Sequence, residues 1–203
     1  MEPLIKLRSK AVPLPLANIN TDQLFPARFI KKPRAVGYAQ YLFHDIRRTD
    51  DGQLNPEFPL NQSKYDGAKI LIAGPNFGSG SSREGAVYAL YDAGFRAILA
   101  PSFGEIFASN CLKNGVLAAA LSADLIDQLQ TELLTSQNPE LSINIAEETL
   151  TTPAGREVKL SLESFQQHCL MNGLNEIDLS LEFNEAIIRF ESDYRKTFPW
   201  ITA

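Results

Sequence analysis

Short apolar runs alternate with helix-like patterns in the middle of the chain. Residues 68–73, 95–100 and 116–121 are nearly continuous in hydrophobic residues, which predicts strands buried on both faces. Between these runs, residues 84–93 and 106–113 carry apolar side chains at helical spacing and each ends at a glycine. Because strand and helix alternate, we predict a parallel α/β layer with helices on the faces of the sheet.

Toward the N-terminus the hydrophobic pattern is weaker. Pro and Asn residues in positions 1–32 predict strand and turn, and the aromatic residues of 38–47 predict a short helix. Residues 50–59 are predicted to form a loop, since they combine Gly, Pro and acidic residues.

The pattern after residue 121 predicts a helix, a hairpin and a helical tail. Residues 123–134 place one apolar face at helical spacing. Segments 141–150 and 157–162 are predicted to pair as a β-hairpin across residues 153–155. Ser164 is the expected N-cap of a helix over 165–171, and the tail to residue 200 is expected to be helical and then extended. Since no repeat or linker interrupts the chain, we predict one compact domain over residues 1–203.

Composition narrows the possible functions. The chain has 203 residues, 19 Lys plus Arg, 24 Asp plus Glu and a net charge of -5. There is no basic excess, so nucleic acid and anionic membranes are not expected partners. Two cysteines and two histidines are too few for a four-cysteine cluster or a dedicated zinc site. With no signal-peptide pattern and no apolar run near the roughly 20 residues of a membrane span, we expect a cytoplasmic protein with reduced thiols.

A Gly/Ser-rich segment follows the first predicted strand of the central region. Residues 74–85 read Gly-Pro-Asn-Phe-Gly-Ser-Gly-Ser-Ser-Arg-Glu-Gly and precede a predicted helix, a position that favours anionic groups. The segment does not fit the dinucleotide fingerprint, the P-loop or the nucleophile elbow. Two interpretations stay open. Arg83 can clamp a carboxylate while a serine oxygen faces the carbon being deprotonated, or Ser81 and Ser82 merely cap the helix and Arg83 is solvated. Residue types alone slightly favour the second.

The segment from Asn76 to Glu84 resembles the signature of the swivelling domain of the aconitase superfamily, in particular the small subunits of 3-isopropylmalate dehydratase. The resemblance extends over nearly the whole chain. Its other blocks are Asn20-Thr21-Asp22-Gln23, Pro26-Ala27-Arg28-Phe29, Asn55-Pro56, Leu60-Asn61-Gln62, Ala100-Pro101-Ser102-Phe103, Ile106-Phe107, Asn110 to Gly115, Asn172-Gly173-Leu174 and Pro199-Trp200. It implies an α/β fold of the aconitase C-terminal type: a single swivelling β/β/α domain with a mainly parallel central sheet, flanking helices and a β-hairpin.

The resemblance also implies a reaction. A hydro-lyase of this family interconverts 2-isopropylmalate and 3-isopropylmalate through 2-isopropylmaleate in leucine biosynthesis. The 4Fe-4S cluster sits on a large-subunit partner, so this chain is expected to bind no metal or cofactor and to be inactive alone. By position in the motif, Ser81 would be the catalytic base, an alkoxide stabilised by helix-start amides. Ser82 and Arg83 would hold a substrate carboxylate. Asp22, in the Thr21-Asp22 turn, would lie at the edge of the site and orient a cationic partner, unless it only makes an Asx turn.

Residues 28–43 correspond to the family's variable loop near the γ-substituent of the substrate, and we expect this loop to be mobile in the isolated chain. The basic cluster 31–34 is expected to be a solvated or partner-facing surface. Tyr38 and Tyr41 are expected to pack helices or to shape an apolar pocket. Cys111 and Cys169 are expected to be buried side chains, and the histidines, His44 and His168, receive no role.

Relatives commonly have Cys where Ser79 stands, His where Gly85 stands and Pro-Trp where Val87-Tyr88 stand. These departures leave alternatives open. The substrate could be homoaconitate or methylmalate/citraconate, since the same carboxylate clamp serves them. The chain could also be a binding or regulatory subunit that has lost catalytic competence.

Overall fold

The computed structural model describes residues 1–202, and one seven-stranded mixed sheet is at its centre. The strand order is β4-β3-β2-β1-β5-β6-β7. The strands are β1 Lys6–Leu14, β2 Ile70–Ala73, β3 Ala97–Ala100, β4 Leu117–Ala120, β5 Glu140–Asn144, β6 Thr149–Thr151 and β7 Glu157–Lys159.

Strand β1 joins a parallel half of the sheet to an antiparallel half. Its C-terminal residues pair in parallel with β2, with Val12 opposite Leu71. Its N-terminal residues pair antiparallel with β5, with Arg8 opposite Ser142. Strands β2, β3 and β4 continue the parallel half, whereas β6 and β7 continue the antiparallel one. The parallel strands therefore share one carboxyl edge.

Helices cover both faces of the sheet. In chain order the helices are α1 Thr21–Leu24, α2 Gly85–Asp92, α3 Glu105–Lys113, α4 Ala123–Thr135, α5 Ser164–Asn172, α6 Glu176–Leu181 and α7 Asn184–Thr197. The last two, α6 and α7, bury no side chain and extend from the C-terminal end of the domain. Short 3-10 helices lie at Ala27–Phe29, Arg34–Val36, Ala39–Tyr41, Pro59–Asn61, Ser63–Tyr65 and Pro199–Thr202.

Side-chain alternation along the buried strands divides the core into two layers. On β2, Leu71 belongs to the layer that α1, α2 and α3 cover, and Ile72 belongs to the layer that α4 covers. Helix α4 fits the second layer because Ile126, Leu129 and Leu133 recur at helical spacing and are all buried. Both faces of the parallel strands are thus closed, as the continuous apolar runs predict.

The α/β class and the strand-helix alternation of the central region are confirmed. The antiparallel half is larger than the predicted hairpin. Segment 141–150 is not one strand, because β5 ends at Asn144 and β6 starts at Thr149. Between them, Glu148 takes a left-handed conformation with φ 52° and the Asn144 side chain accepts the Glu147 amide. The hairpin across residues 153–155 is present, with the Thr152 amide donating to the Arg156 carbonyl at 2.9 Å.

Three other local predictions are wrong. Residues 38–47 contain only the 3-10 helix Ala39–Tyr41, because Phe43 has φ 53° and its buried ring turns the chain into the core. Ser164 is the first residue of α5 and not its cap, since Glu163 holds the N-cap position without a side-chain bond. The tail after α7 forms the 3-10 helix Pro199–Thr202 instead of an extended segment.

Candidate active site

Three loops meet at the carboxyl edge of the parallel strands. They follow β1, β2 and β3, and isolated bridges join Asn20 to Ser79 and Phe77 to Phe103. Ligands in α/β sheets bind outside the carboxyl ends of the strands, where loops from neighbouring strands converge. The motif segment, residues 74–85, follows β2 and lies between the loops that follow β1 and β3. Its backbone therefore pairs with a neighbouring loop on each side.

A single helical turn positions Thr21 and Asp22. Asn20 caps α1 through its Oδ1, which accepts the amides of Asp22 and Gln23 at 2.9 and 2.8 Å. Gln23 completes the capping box, because its Oε1 accepts the Asn20 amide at 2.9 Å. The predicted turn at this position is therefore a capped helix whose first residues are fixed.

The backbone of the motif is held by two buried polar side chains. The Ser81 amide donates to Thr21 Oγ1 at 3.1 Å, and the Thr21 amide donates to the Ser79 carbonyl at 2.8 Å. Asn110 on α3 donates from Nδ2 to the Ser82 carbonyl at 3.2 Å. Thr21 and Asn110 are only 3% and 7% exposed, so water competes little for these bonds. Asn110 was missed as a site residue, since nothing in its local sequence identifies its partner.

Ser81, Arg83 and Asp22 form a continuous chain of contacts. Arg83 Nε donates to Ser81 Oγ at 2.7 Å, and Arg83 Nη2 donates to Asp22 Oδ1 at 3.3 Å. Asp22 Oδ1 also accepts the Ala27 amide at 2.8 Å, which fixes the carboxylate. The structure thus brings together four of the residues selected from the sequence, Thr21, Asp22, Ser81 and Arg83, and Arg83 is the cationic partner of Asp22.

The hydrogen bonds of Arg83 determine which N–H groups of its guanidinium remain free to bind a ligand. Guanidinium carries five N–H donors in a planar fork. The bonds to Ser81 and Asp22 occupy the Nε side, so a carboxylate has to approach end-on, at Nη1 and the second proton of Nη2. A cationic donor at Ser81 Oγ also favours the ionised form of that oxygen. Ser82 lies between Ser81 and Arg83 in the chain and is exposed.

Neither serine caps the following helix. Helix α2 begins at Gly85 with Glu84 at the N-cap, and no side chain caps it. The capping interpretation of Ser81 and Ser82 is therefore wrong. Arg83 is a donor to Ser81 Oγ, and stabilisation of this oxygen by helix-start amides stays a prediction.

A concavity of about 240 Å³ opens beside Ser81. The backbone of Gly80 and Gly104 forms part of its wall, and Glu105 and Phe107 of α3 close the other side. Gly78, with φ 73°, packs directly against the Phe107 ring, and a Cβ at this position would overlap the ring. Glycines in the motif therefore let the loop lie close against α3.

The variable loop packs on the same side of the sheet through aromatic rings. Tyr38 is buried and stacks on Phe25 with ring centroids 4.5 Å apart, and Tyr41 stacks on Phe29 at 4.2 Å. The expected packing role of Tyr38 is confirmed. In the basic cluster, Lys31 and Lys32 are exposed as predicted, whereas Arg34 pairs with Asp92 at 3.4 Å and lies over the Tyr88 ring. The mobility expected for the loop stays a prediction.

Phe25 occupies the space next to Gly85, a position at which we expect a departure from the family pattern. A Cβ at Gly85 would lie 2.9 Å from Cδ1 of Phe25, which is 2% exposed and stacks on Tyr38. Since Phe25 is the C-cap of α1 and Gly85 begins α2, this packing joins the helix that carries Asp22 to the helix that follows Arg83.

We expect Gly85→Ala to lower the free energy of unfolding by about 1–3 kcal/mol, because overpacking against Phe25 outweighs the gain in helix propensity. Urea denaturation measures the change. In a Phe25→Leu background, the same substitution is expected to cost less or to stabilise, and an equal cost in both backgrounds would show that the ring is not the obstacle.

Arg28, His44 and Asp45 form a second polar group, which the sequence did not indicate. Arg28 makes a bidentate ion pair with Asp45, and His44 Nδ1 lies 3.0 Å from Asp45 Oδ1. The hydrogen bond from Arg28, with a smaller effect of His44, lowers the pKa of the Asp45 carboxyl to about 2. The pair fastens the start of the variable loop to the segment after Phe43.

Asp45→Asn is expected to destabilise the protein at pH 7 by no more than about 1 kcal/mol, since the pair is half-exposed and screened by solvent. The pKa of Asp45 is lower in the folded than in the unfolded chain, so its contribution is complete above about pH 5 and is lost as the pH falls through the folded pKa of about 2. The stabilities of the two proteins should therefore approach each other between about pH 5 and pH 2. Asp50→Asn, in the neighbouring exposed loop, is the control, and a difference as large at pH 2 as at pH 7 would contradict the role of the ion pair.

The two cysteines and His168 are accounted for by burial or by local contacts. Cys111 and Cys169 are buried free thiols, as expected, and burial raises the pKa of the Cys111 thiol. His168 contacts Glu182 at 3.2 Å. Among residues 1–202, no group of three or more His, Cys, Asp or Glu side chains could hold a metal ion. Within the same residues, no helix has the length and hydropathy that crossing a membrane requires.

Comparison with known proteins identifies the family to which this fold belongs. Residues 1–124 match the aconitase C-terminal domain family. The chain is 41% identical over 210 residues to the 3-isopropylmalate dehydratase small subunit of Neisseria meningitidis serogroup B, with 99% of each chain covered. It is 41% identical over 200 residues to the protein of the same name from Rhizobium etli CFN 42. A 3-isopropylmalate dehydratase structure from Methanocaldococcus jannaschii shares the fold, with a TM-score of 0.64, 21% identity and coverage of 92% of this chain and 99% of that one.

The match over residues 1–124 places the chain in the aconitase C-terminal domain class, and segment 74–85 lies at the parallel edge of its mixed sheet. Within that class, the chain belongs to the family of 3-isopropylmalate dehydratase small subunits.

Proposed function

We propose that the chain is the small subunit of a two-chain hydro-lyase that isomerises 2-isopropylmalate to 3-isopropylmalate in leucine biosynthesis, in the cytoplasm. The observation that carries this proposal is the identity of 41% over 99% of both chains with a small subunit of that name. The connected Ser81, Arg83 and Asp22 side chains support it, because they supply a base and a carboxylate site in one place.

Ser81 is the proposed base. In each direction of the isomerisation a proton leaves the carbon next to a carboxylate, and the base has to lie within hydrogen-bond reach of it. Ser81 Oγ is exposed in the single chain and receives a hydrogen bond from the Arg83 guanidinium. This bond favours the alkoxide, and the effect grows when a partner excludes water from the site.

Arg83 and Ser82 are the proposed carboxylate-binding residues. The end-on N–H groups of Arg83 donate to one carboxylate of the diacid, and the Ser82 hydroxyl donates to the same group. Asp22 holds the guanidinium in this orientation, and Thr21 holds the backbone of Ser81. The carboxylate and the reacting carbon are thereby placed relative to Ser81.

A large subunit with a 4Fe-4S cluster is the proposed partner. The cluster, when bound there, supplies a Lewis acid for the substrate hydroxyl that leaves. The exposed Ser81 and Ser82 on this chain fit a half-site that a second surface covers. We propose no nucleic-acid or membrane partner, in keeping with the net charge of -5.

Reconstitution with the large subunit of the same organism tests the proposal. Steady-state rates are measured with 2-isopropylmalate, homoaconitate and citraconate as substrates, each with the intact pair and with either chain alone. We expect turnover of 2-isopropylmalate by the pair only. Turnover of another diacid without 2-isopropylmalate would assign a different substrate, and a large subunit that reaches full rate alone would make this chain a binding or regulatory subunit.

A further inference from the structure

The C-terminal arm, residues 176–200, is formed by α6, α7 and the start of the last 3-10 helix, and it exposes an unusual amount of apolar surface. None of the side chains of α6 and α7 is buried. Ile177, Phe183, Phe190 and Trp200 are between 65% and 72% exposed. Contiguous apolar surface of this kind marks an interaction site in a protein that stays soluble.

Helix α7 concentrates this surface on one face. Phe183, Ile187, Phe190 and Tyr194 follow the spacing i, i+4, i+7, i+11 and lie on one stripe. Glu185, Arg189 and Lys196 lie on the opposite face. Two ion pairs of α7 form within the helix: Arg195 with Glu191, and Lys196 with Asp193. These charged side chains are exposed and do not bind the rest of the domain through these pairs. Within the described residues, Phe198 packs on Tyr194 at one end of the stripe, with ring centroids 4.9 Å apart, while Phe183 and Phe190 stay 65% and 67% exposed.

The length of the stripe argues against pairing with a second copy. Helix α7 has 14 residues, about 21 Å at about 1.5 Å per residue, and spans two heptads. The heptad pattern that indicates a coiled coil runs over about three to four heptads, which is longer than this stripe. Two such helices therefore bury less than the roughly 800 Å² per partner of a stable interface, whereas a groove on a larger protein can enclose the whole stripe.

The arm starts at the opposite end of α3 from the candidate active site. Glu176 of α6 pairs with Lys113 at the end of α3, at 2.9 Å. The beginning of α3, at Glu105 and Phe107, lines the concavity next to Ser81. One helix thus connects the base of the arm to the candidate active site, and a protein seated over Ser81 lies within reach of both.

We infer that α7 docks its apolar stripe in an apolar groove of the iron–sulfur large subunit and anchors the two chains to each other. The inference rests on the proposed two-chain function and adds the surface that assembles it. Aromatic anchors in such a groove carry most of the binding energy of an interface. Assembly and catalysis then depend on different residues of this chain.

The test compares two variants of this chain. The stripe variant replaces three apolar residues of the stripe: Ile187→Ser, Phe190→Ser and Tyr194→Ser. The control variant changes the opposite face without changing the net charge: Glu185→Gln and Arg189→Gln. Affinity for the large subunit is measured by titration, and turnover is measured at saturating large subunit. We expect the stripe variant to raise the Kd about tenfold or more, with kcat recovered at saturation. The control should keep the Kd of the intact chain.

Three results would overturn the inference, and each is separable from failure of the proposed function. An unchanged Kd in the stripe variant, beside an active intact pair, would leave the function standing and remove the docking role. Self-association of the chain alone that the stripe variant abolishes would make a second copy the occupant. A lower melting temperature of the stripe variant alone would place the stripe against its own body. If the intact pair neither binds nor turns over 2-isopropylmalate, it is the proposed function that fails.

Discussion

Ser81→Ala is expected to reduce kcat of the reconstituted pair by about 10²–10⁴-fold, the usual contribution of a positioned base. The substitution removes the oxygen that Arg83 Nε contacts and leaves the backbone bond from the Ser81 amide to Thr21 in place. KM should change little, because the carboxylate donors of Arg83 remain. Stopped assays with 2-isopropylmalate at saturating large subunit measure the effect.

The loss has to be catalytic and not structural. Ser81 is exposed, so its replacement should alter neither the melting temperature nor the Kd for the large subunit. Ser109→Ala, an exposed serine on α3, is the matched control and should keep full activity. Near-normal kcat in the Ser81 variant would assign the proton transfer to another group.

The parallel half of the sheet could be predicted because its signal is local. The runs that became β2, β3 and β4 are apolar on both faces, and no other element of this length carries that pattern. The turn between β5 and β6 gave no such signal. Residues 145–148 contain no Gly, Pro or Asn, and the left-handed Glu148 is fixed by pairing of the strands around it.

The sequence was enough to select the residues of the candidate site, but it did not predict the contacts between them. The motif and the resemblance selected Ser81, Arg83 and Asp22, which lie up to 61 positions apart and meet in the structure. That Arg83 bonds Ser81 through Nε, and so leaves only an end-on approach, follows from the bend of the segment before α2. Asn110 and Phe25 act through tertiary contacts that no spacing along the chain reveals.

The surroundings of Gly85 bear on the alternative of a subunit without catalytic competence, which rests on the missing side chain at this position. Phe25 lies against the Gly85 backbone and packs between α1 and α2. Asp22 and Arg83 are in contact beside it. The glycine therefore leaves the polar residues of the candidate site in place.

Arg83→Lys is expected to lower kcat/KM of the pair by about 100-fold, through a higher KM and a lower kcat. Lysine keeps the charge but has no planar fork, so one ammonium cannot bind Ser81, Asp22 and a substrate carboxylate together. Loss of one charge-assisted hydrogen bond is worth about 1.5–3 kcal/mol, about a tenfold to hundredfold effect. Steady-state kinetics at saturating large subunit separate the two parameters.

The role of Asp22 follows from the same chain of contacts and is tested in a double-variant cycle. Asp22→Asn keeps an oxygen for the Ala27 amide but removes the charge that orients Arg83, so we expect about a tenfold lower kcat/KM. In the Arg83→Lys background the same change should cost little, because the guanidinium that Asp22 positions is absent. An equal cost in both backgrounds would mean that Asp22 acts on the substrate independently of Arg83.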